Sequence, residues 1–270
     1  EMIDAIKQDT DHKKWHFPYT PFKDFGATME QLLKAFITWS AKEDKPGFNV
    51  SKAFRRLDSY VTWMDQNSKD LEEPLTAQSV GSHYATWGMS ATHDKQNRLV
   101  WWIDLGSIDL EKVKSTPAAE SLRFFVWISH AVLFDNDCQE NGMLMAESFS
   151  ANMSAWEMFT MVPMELGAKL DRLTIGVLPI KMKKIFILLA PGWLRVLMAI
   201  MGPFLSKKMR QRMIVVKKSE DPQTILDEEF GREGIYPKFA GLEGKADKDI
   251  FGELLSKAGP VNAEEEELEA

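Results

Sequence analysis

Apolar positions in the first third of the chain follow the spacing of amphipathic helices. They repeat at intervals of three and four over residues 29–37 and again over residues 54–64. Side chains at this spacing lie on one face of a helix, and that face needs a partner to cover it. The pattern predicts two packed helices, joined by a turn at 41–50 that contains a Pro-Gly pair. We therefore expect a helical subdomain over residues 1–95.

From about residue 97 the pattern changes to short apolar runs that alternate with helical stretches. The runs predict strands at 99–104, 143–149, 184–190 and 213–216. Helical spacing between them predicts helices at 117–134, 154–173 and 193–204. Strands that alternate with helices form βαβ units, in which neighbouring strands run parallel. The sequence therefore predicts an α/β fold with a mostly parallel sheet over residues 96–245. For residues 246–270 we expect a C-terminal helix and a disordered acidic tail.

The last of these helices lies inside a segment of unusual charge. Residues 181–218 contain ten cations and no acidic residue, whereas the whole chain has a formal net charge of -7. Cations interleaved with apolar runs in an acidic protein indicate contact with an anionic lipid surface. A membrane span over 185–205 is the alternative, because about 20 apolar residues can cross a bilayer. It is disfavoured, since Pro191-Gly192 and Gly202-Pro203 divide it and Arg195 would cost about 2.5–3.5 kcal/mol near its middle.

Composition places the chain among ordinary soluble globular proteins, with 44% hydrophobic and 27% charged residues. The one cysteine, Cys138, leaves no disulfide framework and suits a reducing, cytoplasmic compartment. The N-terminal stretch is polar and shows no secretory leader, although a start at Glu1 leaves a removed targeting segment open. Fifteen methionines are adaptable side chains that suit the wall of an apolar cavity.

Four segments carry a resemblance to a known family. They are residues 179–191 (PIKMKKIFILLAP), 202–208 (GPFLSKK), 94–98 (DKQNR) and 228–234 (EEFGREG). The first is similar to a family strand that ends in N-x-P, and the second to a K-P-F-L signature. The third is similar to a D-x-x-G-R-P turn, and the fourth to an L-P-x-E-Y-G-G ending. With the preceding helices, they resemble the CRAL-TRIO lipid-binding family, which includes proteins of the retinaldehyde-binding, α-tocopherol transfer and phosphatidylinositol transfer type.

This resemblance implies an apolar pocket with the sheet as its floor and helix 193–204 as a mobile gate, hinged at Pro191-Gly192 and Gly202-Pro203. It implies that a monomer binds one hydrophobic lipid or isoprenoid and transfers it between membranes, without catalysis and with no cofactor besides the lipid. The expected pocket residues come from the sheet, the facing helices and the gate: Leu122, Phe125, Ser129, Met143, Met145, Glu147, Leu173, Leu178, Ile185, Ile187, Leu189, Trp193, Val196, Leu197, Ile200 and Phe204. The alternative is a signalling or scaffold protein that uses the same fold for protein contacts.

Two polar residues in this set have more than one interpretation. By the strand period of two, Met143, Met145, Glu147 and Phe149 share a face, so Glu147 could accept a hydrogen bond from a ligand hydroxyl or from a protein donor. A carboxylate paired with a nearby cation is the alternative, and a register error of one residue would reverse its face. The Ser129 hydroxyl could likewise contact the ligand or bond to a carbonyl of its own helix.

Five cations are expected outside the pocket, on a surface that binds membrane phosphoinositides: Lys181, Lys183, Lys208, Arg210 and Arg212. The resemblance implies this role in members that carry tocopherol or a retinoid. Members that bind phosphatidylinositol have an acidic residue after the proline of the third strand and a threonine after the gate helix, where this chain has Ile180 and Met209. An inositol-headgroup pocket is therefore disfavoured, although the sequence leaves open whether a phosphoinositide is cargo or docking lipid.

Sequence motifs for catalysis or metal binding do not occur in the chain. There is no G-x-S-x-G elbow, no H-E-x-x-H and no phosphate-cradling glycine loop. His12 and His16 have helical ligand spacing but lack a third ligand. Nucleic-acid binding is disfavoured because the cations alternate with apolar runs in an acidic protein. We therefore predict no enzyme, no metal site and no nucleic-acid partner.

Overall fold

The molecule is organised around one five-stranded sheet. Its strands are β1 (Met89–His93), β2 (Leu99–Asp104), β3 (Met143–Ser148), β4 (Met182–Leu188) and β5 (Met213–Val215), and they lie side by side in that order. The computed structural model describes residues 24–41, 47–71, 75–150, 153–201, 207–217, 220–237 and 239–257. β1 runs antiparallel to β2, and the other neighbouring pairs are parallel. The predicted α/β fold with a mostly parallel sheet is confirmed.

Helices precede the sheet and connect its strands. The α-helices are α1 (Met29–Trp39), α2 (Val50–Gln66), α3 (Ala77–Val80), α4 (Leu110–Ser115), α5 (Ala118–Leu133), α6 (Asn136–Asn141), α7 (Ala155–Met161), α8 (Met164–Asp171), α9 (Gly192–Met201), α10 (Lys207–Arg212), α11 (Pro222–Phe230) and α12 (Ile250–Lys257). Short 3-10 turns lie at Ser68–Leu71, Gly81–Thr86, Arg232–Gly234 and Phe239–Gly241, and a π-helical turn at Arg172–Val177 follows α8. No helix among the residues described is long and apolar enough to span a bilayer.

The two first helices form where the sequence places their caps and apolar stripes. Thr28 and Gln31 make a reciprocal capping box at the start of α1. The side chain of Asn49 accepts a hydrogen bond from the backbone N–H of Lys52 at 2.9 Å and so begins α2. The apolar stripes then meet: the rings of Phe36 and Tyr60 pack edge-on with centroids 5.6 Å apart. Both predicted helices thus cover each other's apolar face.

The two faces of the sheet carry separate cores because side chains alternate along each strand. We call the face that contains Trp102 and Leu144 the closed face. It is covered by α11 and the turn after it, with the Trp102 ring 5.2 Å from that of Phe230 and 4.7 Å from that of Phe239. The opposite side, which we call the open face, packs against the N-terminal helices and α5. Its strand residues include Leu99, Trp101, Met143, Met145, Ile185 and Ile187.

The segments at 94–98 and 228–234 that resemble family motifs form an ionic clasp at the edge of the closed face. The Asp94 carboxylate accepts hydrogen bonds from the backbone N–H and the guanidinium of Arg98. The Glu229 carboxylate accepts a hydrogen bond from the guanidinium of Arg98 at 3.1 Å and another from the ammonium group of Lys184 at 2.6 Å. Asn97 has a φ of 54° and stands where the resembled motif has glycine; asparagine tolerates this left-handed conformation. These motif residues therefore stabilise the fold away from the open face.

Several predicted elements differ from the observed ones. The predicted helix 154–173 is interrupted at Val162, which precedes a proline and takes an extended conformation with φ −123° and ψ 131°. β1 is missing from the prediction because its sequence, Met-Ser-Ala-Thr-His, is a weak strand former. It lies ahead of the predicted boundary at 95 and pairs with β2. The positions predicted as the end of the gate helix, at 202–204, and as the acidic tail lie outside the described residues, as do His12 and His16.

The C-terminal helix α12 is fixed over the β1–β2 side of the open face. Asp249, just before α12, accepts a hydrogen bond from the backbone N–H of Ala91 at 3.0 Å and another from the hydroxyl of Tyr84. The buried ring of Phe251 packs edge-on against Trp101, with centroids 5.8 Å apart. This end of the open face is therefore filled by protein side chains.

Candidate functional site

The open face is left partly uncovered over β2 and β3. On β3, Leu144 and Ala146 of the closed face are fully buried, whereas Met145 and Glu147 of the open face keep accessible surface. Ile103, which pairs with Glu147 from β2, also keeps accessible surface. β3 lies inside the sheet between β2 and β4, so this accessible surface cannot come from a strand edge. We call the space over Ile103, Met145 and Glu147 the recess.

Glu147 is a carboxyl group in an apolar setting, without a partner among the described residues. Its neighbours across the sheet are Ile103 and Ile187, and no described residue forms a hydrogen bond or ion pair with it. Burial, with no contribution from any cation, raises the pKa of its carboxyl to about 7. The alternative of a carboxylate paired with a nearby cation is therefore wrong for the described part of the chain. Glu147 therefore combines an apolar setting with some remaining accessible surface.

Five buried polar side-chain atoms among the described residues lack a hydrogen-bond partner, and two of them belong to α5 and β2. The Ser129 hydroxyl on α5 is buried and forms no hydrogen bond with any described residue, so the alternative bond to its own helix carbonyl is not made. The indole N–H of Trp101, whose residue pairs with Met145, is likewise buried without an acceptor. Sequence reasoning missed Trp101, although its alternation with Leu99 marks the open face. Buried polar atoms usually have partners, so these two groups are left unsatisfied by the described residues.

The start of α9 is anchored beside the recess. The indole N–H of Trp193 donates to the carbonyl oxygen of Met153 at 2.9 Å. Its ring lies 6.2 Å from Phe149, two residues beyond Glu147, and 6.4 Å from Phe159 on α7. Leu194 is buried, and Leu197 and Met198 pack partly against the open-face core. α9 therefore covers the carboxyl end of β3 with one side only.

Three predicted pocket positions need correction. Val196 is 61% exposed and Ile200 is 60% exposed, so they lie on the outer side of α9. The periodicity could not choose the inner side because α9 is apolar around most of its circumference. Leu189 is 49% exposed, since β4 ends at Leu188 and the chain turns outward there. Leu194 and Met198, which the prediction omitted, hold the inner positions.

The remaining predicted pocket residues belong to the open-face core, and their contact with a ligand stays a prediction. Phe125 is partly buried and packs edge-on against Trp87 at 4.7 Å. Phe204 lies outside the described residues. The buried members are Leu122, Met143, Leu173, Leu178, Ile185 and Ile187.

The hinge before α9 holds an unusual backbone conformation. Leu189 has a φ of 51°, in the left-handed region that costs a residue with a side chain roughly 1–2 kcal/mol. Ala190 and Pro191 follow it and are buried, and α9 begins at Gly192. The connection between β4 and α9 therefore turns sharply at one strained residue.

An exposed apolar surface extends over α7 and α9. It comprises Trp156 and Phe159 on α7 with Val196 and Ile200 on α9, and we call these four residues the apolar apron. Trp156 alone is 75% exposed. The contact between Phe159 and Trp193 joins the two helices. Large apolar side chains clustered in this way on a surface indicate a contact site.

Cations from three parts of the chain meet at the amino end of β4. Lys181 and Lys183 lie there, and α10 leads into β5, whose Met213 pairs with Ile185 of β4. Lys208 of α10 stands close to Lys52 of α2: burial, then Lys208, then Arg56 lower the pKa of the Lys52 ammonium group. We call the set formed by Lys52, Lys181, Lys183, Lys208, Arg210 and Arg212 the basic cluster.

Arg56 fastens the helical subdomain to the segment that precedes β4. Its guanidinium donates to the carbonyl oxygens of Ile175 at 2.8 Å and Leu178 at 2.7 Å, and also to that of Gly176. Trp39 lies beneath both Arg56, at 4.8 Å, and Lys52, at 4.1 Å. Lys52 was absent from the predicted cluster because only tertiary packing brings it to Lys208. Arg56 itself acts as a structural tie.

Comparison with known proteins identifies the family. A family model of the CRAL/TRIO domain matches residues 87–241, more than half of the chain. The chain belongs to the CRAL/TRIO family, whose proteins generally bind and transfer lipids and are not enzymes. The crystal structure of Sfh5 is similar, with a TM-score of 0.57, 12% sequence identity, and coverage of 93% of this chain and 89% of that chain. At that identity the likeness shows the fold alone.

Proposed function

We propose that the protein binds one hydrophobic lipid or isoprenoid in the recess and transfers it between membranes as a monomer. One observation carries the proposal: the open face of an inner strand is partly uncovered at Met145 and Glu147, while its closed face is sealed. Packing in a protein core is otherwise dense on both sides of a sheet. A lipid chain in the recess leaves water, which contributes about 0.8 kcal/mol for each methylene buried.

α9 is the element best suited to act as the gate of this site. It is held to the sheet by its inner side chains and by the anchor at Trp193, and it leaves β4 through the strained Leu189. A segment attached by few contacts can open at a low cost in free energy. Opening at Leu189 would lift Trp193 from Phe149 and uncover the carboxyl end of β3. The lipid would then enter or leave beside Glu147.

The apolar apron and the basic cluster support docking on an anionic, cytoplasmic membrane surface. With 10 residues, α9 is about 15 Å long, and α10 with its cations follows it in the chain. Apolar side chains of the apron would enter the bilayer interface while nearby cations face the lipid phosphates. Each cation close to a charged leaflet contributes about 1 kcal/mol, so the six residues of the cluster support peripheral attachment.

The proposal is tested by the lipid content of the natively purified protein. We expect native mass spectrometry to detect one lipid for each chain, and we expect the loaded protein to deliver it to acceptor vesicles. Protein that is repeatedly empty, and that takes up no lipid from donor vesicles, would contradict the proposal. That result would favour the scaffold alternative, in which the same fold serves protein contacts.

A further inference from the structure

Phe251 on α12 borders the recess on its β1 side. Its fully buried ring packs edge-on against Trp101, with centroids 5.8 Å apart. Trp101 pairs with Met145 on β3 and lies two residues before Ile103 on the same face of β2. Neighbouring strands are about 4.8 Å apart, and residues two apart on one strand are about 6.6 Å apart. Trp101 and Phe251 therefore stand directly beside the floor of the recess and form a wall there.

This wall is fixed because the chain that leads into α12 is tied down at several points. Gly244 passes so close to the carbonyl oxygens of Ile235 and Tyr236 that a Cβ atom at this position would overlap both, so only glycine permits the approach. The backbone N–H of Ala246 donates to the carbonyl oxygen of Ile235 at 3.0 Å. Asp249 then fixes the start of α12 to β1. The position of Phe251 is therefore determined by the backbone before it as well as by its own packing.

The two elements that border the recess differ in how firmly they are held. α9 leaves β4 through the strained Leu189 and contacts the sheet with one side only. A ligand can displace such an element, whereas a densely packed wall on a fixed backbone resists extra volume. α12 also lies beyond residues 87–241, which the CRAL/TRIO model matches, so this wall is not part of the matched domain.

We infer that Phe251 is the length stop of the lipid site: with Trp101, it sets the longest apolar chain that the recess accepts. The inference rests on the proposed function and adds selection of the ligand by chain length. A chain that just reaches the wall removes all of its methylenes from water. Each further carbon atom must overlap the wall or remain in water, so affinity should rise with length up to a limit and then fall.

Straight-chain primary alcohols test the inference, because members of the series differ in length alone. Delipidated protein is equilibrated with an equimolar mixture of the even-numbered members from decanol to tetracosanol, supplied from cyclodextrin complexes, and native mass spectrometry measures which are retained. We expect retention to rise with length and then to fall at least fivefold beyond a limiting member. Retention without such a limit would refute the inference alone. If no alcohol of any length is retained, the proposed function fails with it.

Substitutions of Phe251 then assign the limit to this side chain. Phe251→Ala removes about six carbon atoms from the wall and the surroundings relax only in part, so the limit should increase by about four carbon atoms. Phe251→Leu is the milder change, suited to a fold that does not tolerate alanine, and should increase the limit by about two carbon atoms.

Phe239→Leu is the matched control on the closed face. The Phe239 ring is buried like that of Phe251 and packs edge-on against Trp102, with centroids 4.7 Å apart. This variant should lower the melting temperature and leave the length limit unchanged. Circular dichroism verifies that each variant is folded. An unchanged limit in the folded Phe251 variants, or an equal shift in Phe239→Leu, overturns the inference, while continued retention of alcohols leaves the proposed function in place.

Discussion

The indole ring of Trp193, at the start of α9, packs edge-on against the ring of Phe149, with centroids 6.2 Å apart. Phe149 follows directly after the last residue of β3, so this contact joins α9 to the sheet. The hydrogen bond from Trp193 to Met153 fixes the same ring at its other side. In the proposed function, this anchor would oppose the opening of α9.

Loosening this anchor should accelerate exchange. We expect Trp193→Ala to increase the rate of lipid transfer between vesicles several-fold, because α9 loses both the ring contact and the hydrogen bond. Trp193→Phe keeps a ring and should give a smaller increase. Phe48→Ala removes an exposed aromatic side chain elsewhere on the surface and serves as the control. A transfer rate that is unchanged in Trp193→Ala would show that α9 does not control exchange.

The effect of a substitution at Leu189 on the free energy of unfolding should depend on the backbone conformation that the new residue tolerates, and not on the size of its side chain. Leu189→Gly relieves the left-handed strain and loses little burial, so the free energy of unfolding should stay the same or rise by up to about 1 kcal/mol. Leu189→Val introduces a β-branched side chain at positive φ and should lower it by about 1–2 kcal/mol. Urea denaturation measures both. If Leu189→Val has a higher free energy of unfolding than Leu189→Gly, the backbone at Leu189 is not strained.

Lys52 and Lys208 should contribute together to membrane attachment. Their proximity concentrates positive charge at one place, which an anionic headgroup would neutralise. We expect Lys52→Glu with Lys208→Glu to weaken binding to vesicles that contain anionic lipid by at least tenfold at low salt, and less at high salt. Sedimentation with vesicles measures this. Lys245→Glu with Lys248→Glu, on an exposed segment beyond α11, is the charge-matched control; equal losses in both proteins would refute a localised docking surface.

His130 should make stability depend on pH. It is fully buried, its Nδ1 lies 2.7 Å from the carbonyl oxygen of Val126, and its Nε2 lies 2.7 Å from the hydroxyl of Tyr60. A carbonyl oxygen only accepts, so Nδ1 carries the proton and Nε2 accepts from Tyr60. Burial lowers the pKa of this histidine to about 4. Between pH 4 and about 6.5 the unfolded chain therefore binds more protons than the folded one.

From this difference the free energy of unfolding should fall by about 1.4 kcal/mol for each pH unit below about 6.5, down to about pH 4. The stabilisation that neutral His130 gives to the folded state is fully present above about pH 6.5. Urea denaturation across this range should show a shallower dependence in His130→Gln. His93 is the opposite control: its hydrogen bond with Asp135 raises its pKa, so it contributes stability at low pH that is lost as pH rises. Parallel curves for His130→Gln and the unaltered protein would contradict this assignment.

The sequence predicts those parts of the structure that local patterns determine. β2 has the predicted bounds because its alternating residues pack on two different cores. The face of Met143, Met145 and Glu147 also follows from the strand period. The inner side of α9 could not be predicted, since apolar residues occupy most of its circumference and only packing against Phe149 selects one side.

Two other features depend on tertiary contacts that no local pattern records. The meeting of Lys52 with Lys208 requires α2 and α10 to pack at the same end of β4. To predict that Glu147 has no partner among the described residues, one must know the position of every group around it. A carboxylate in a strand is equally compatible with an ion pair and with an unpartnered acid, and only the fold distinguishes them.

We propose that space for a lipid lies over Met145 and not on the other face of the same strand. Filling that space tests it most directly, through lipid retention and thermal unfolding of Met145→Trp, with Leu144→Trp on the sealed face as the matched control. We predict that Met145→Trp stays folded, with a melting temperature close to that of the delipidated unaltered protein, and loses lipid binding. Leu144→Trp should lower the melting temperature strongly, because overpacking a full core costs about 1–3 kcal/mol or more. Lipid retention by Met145→Trp, or equal destabilisation of both variants, would contradict the account.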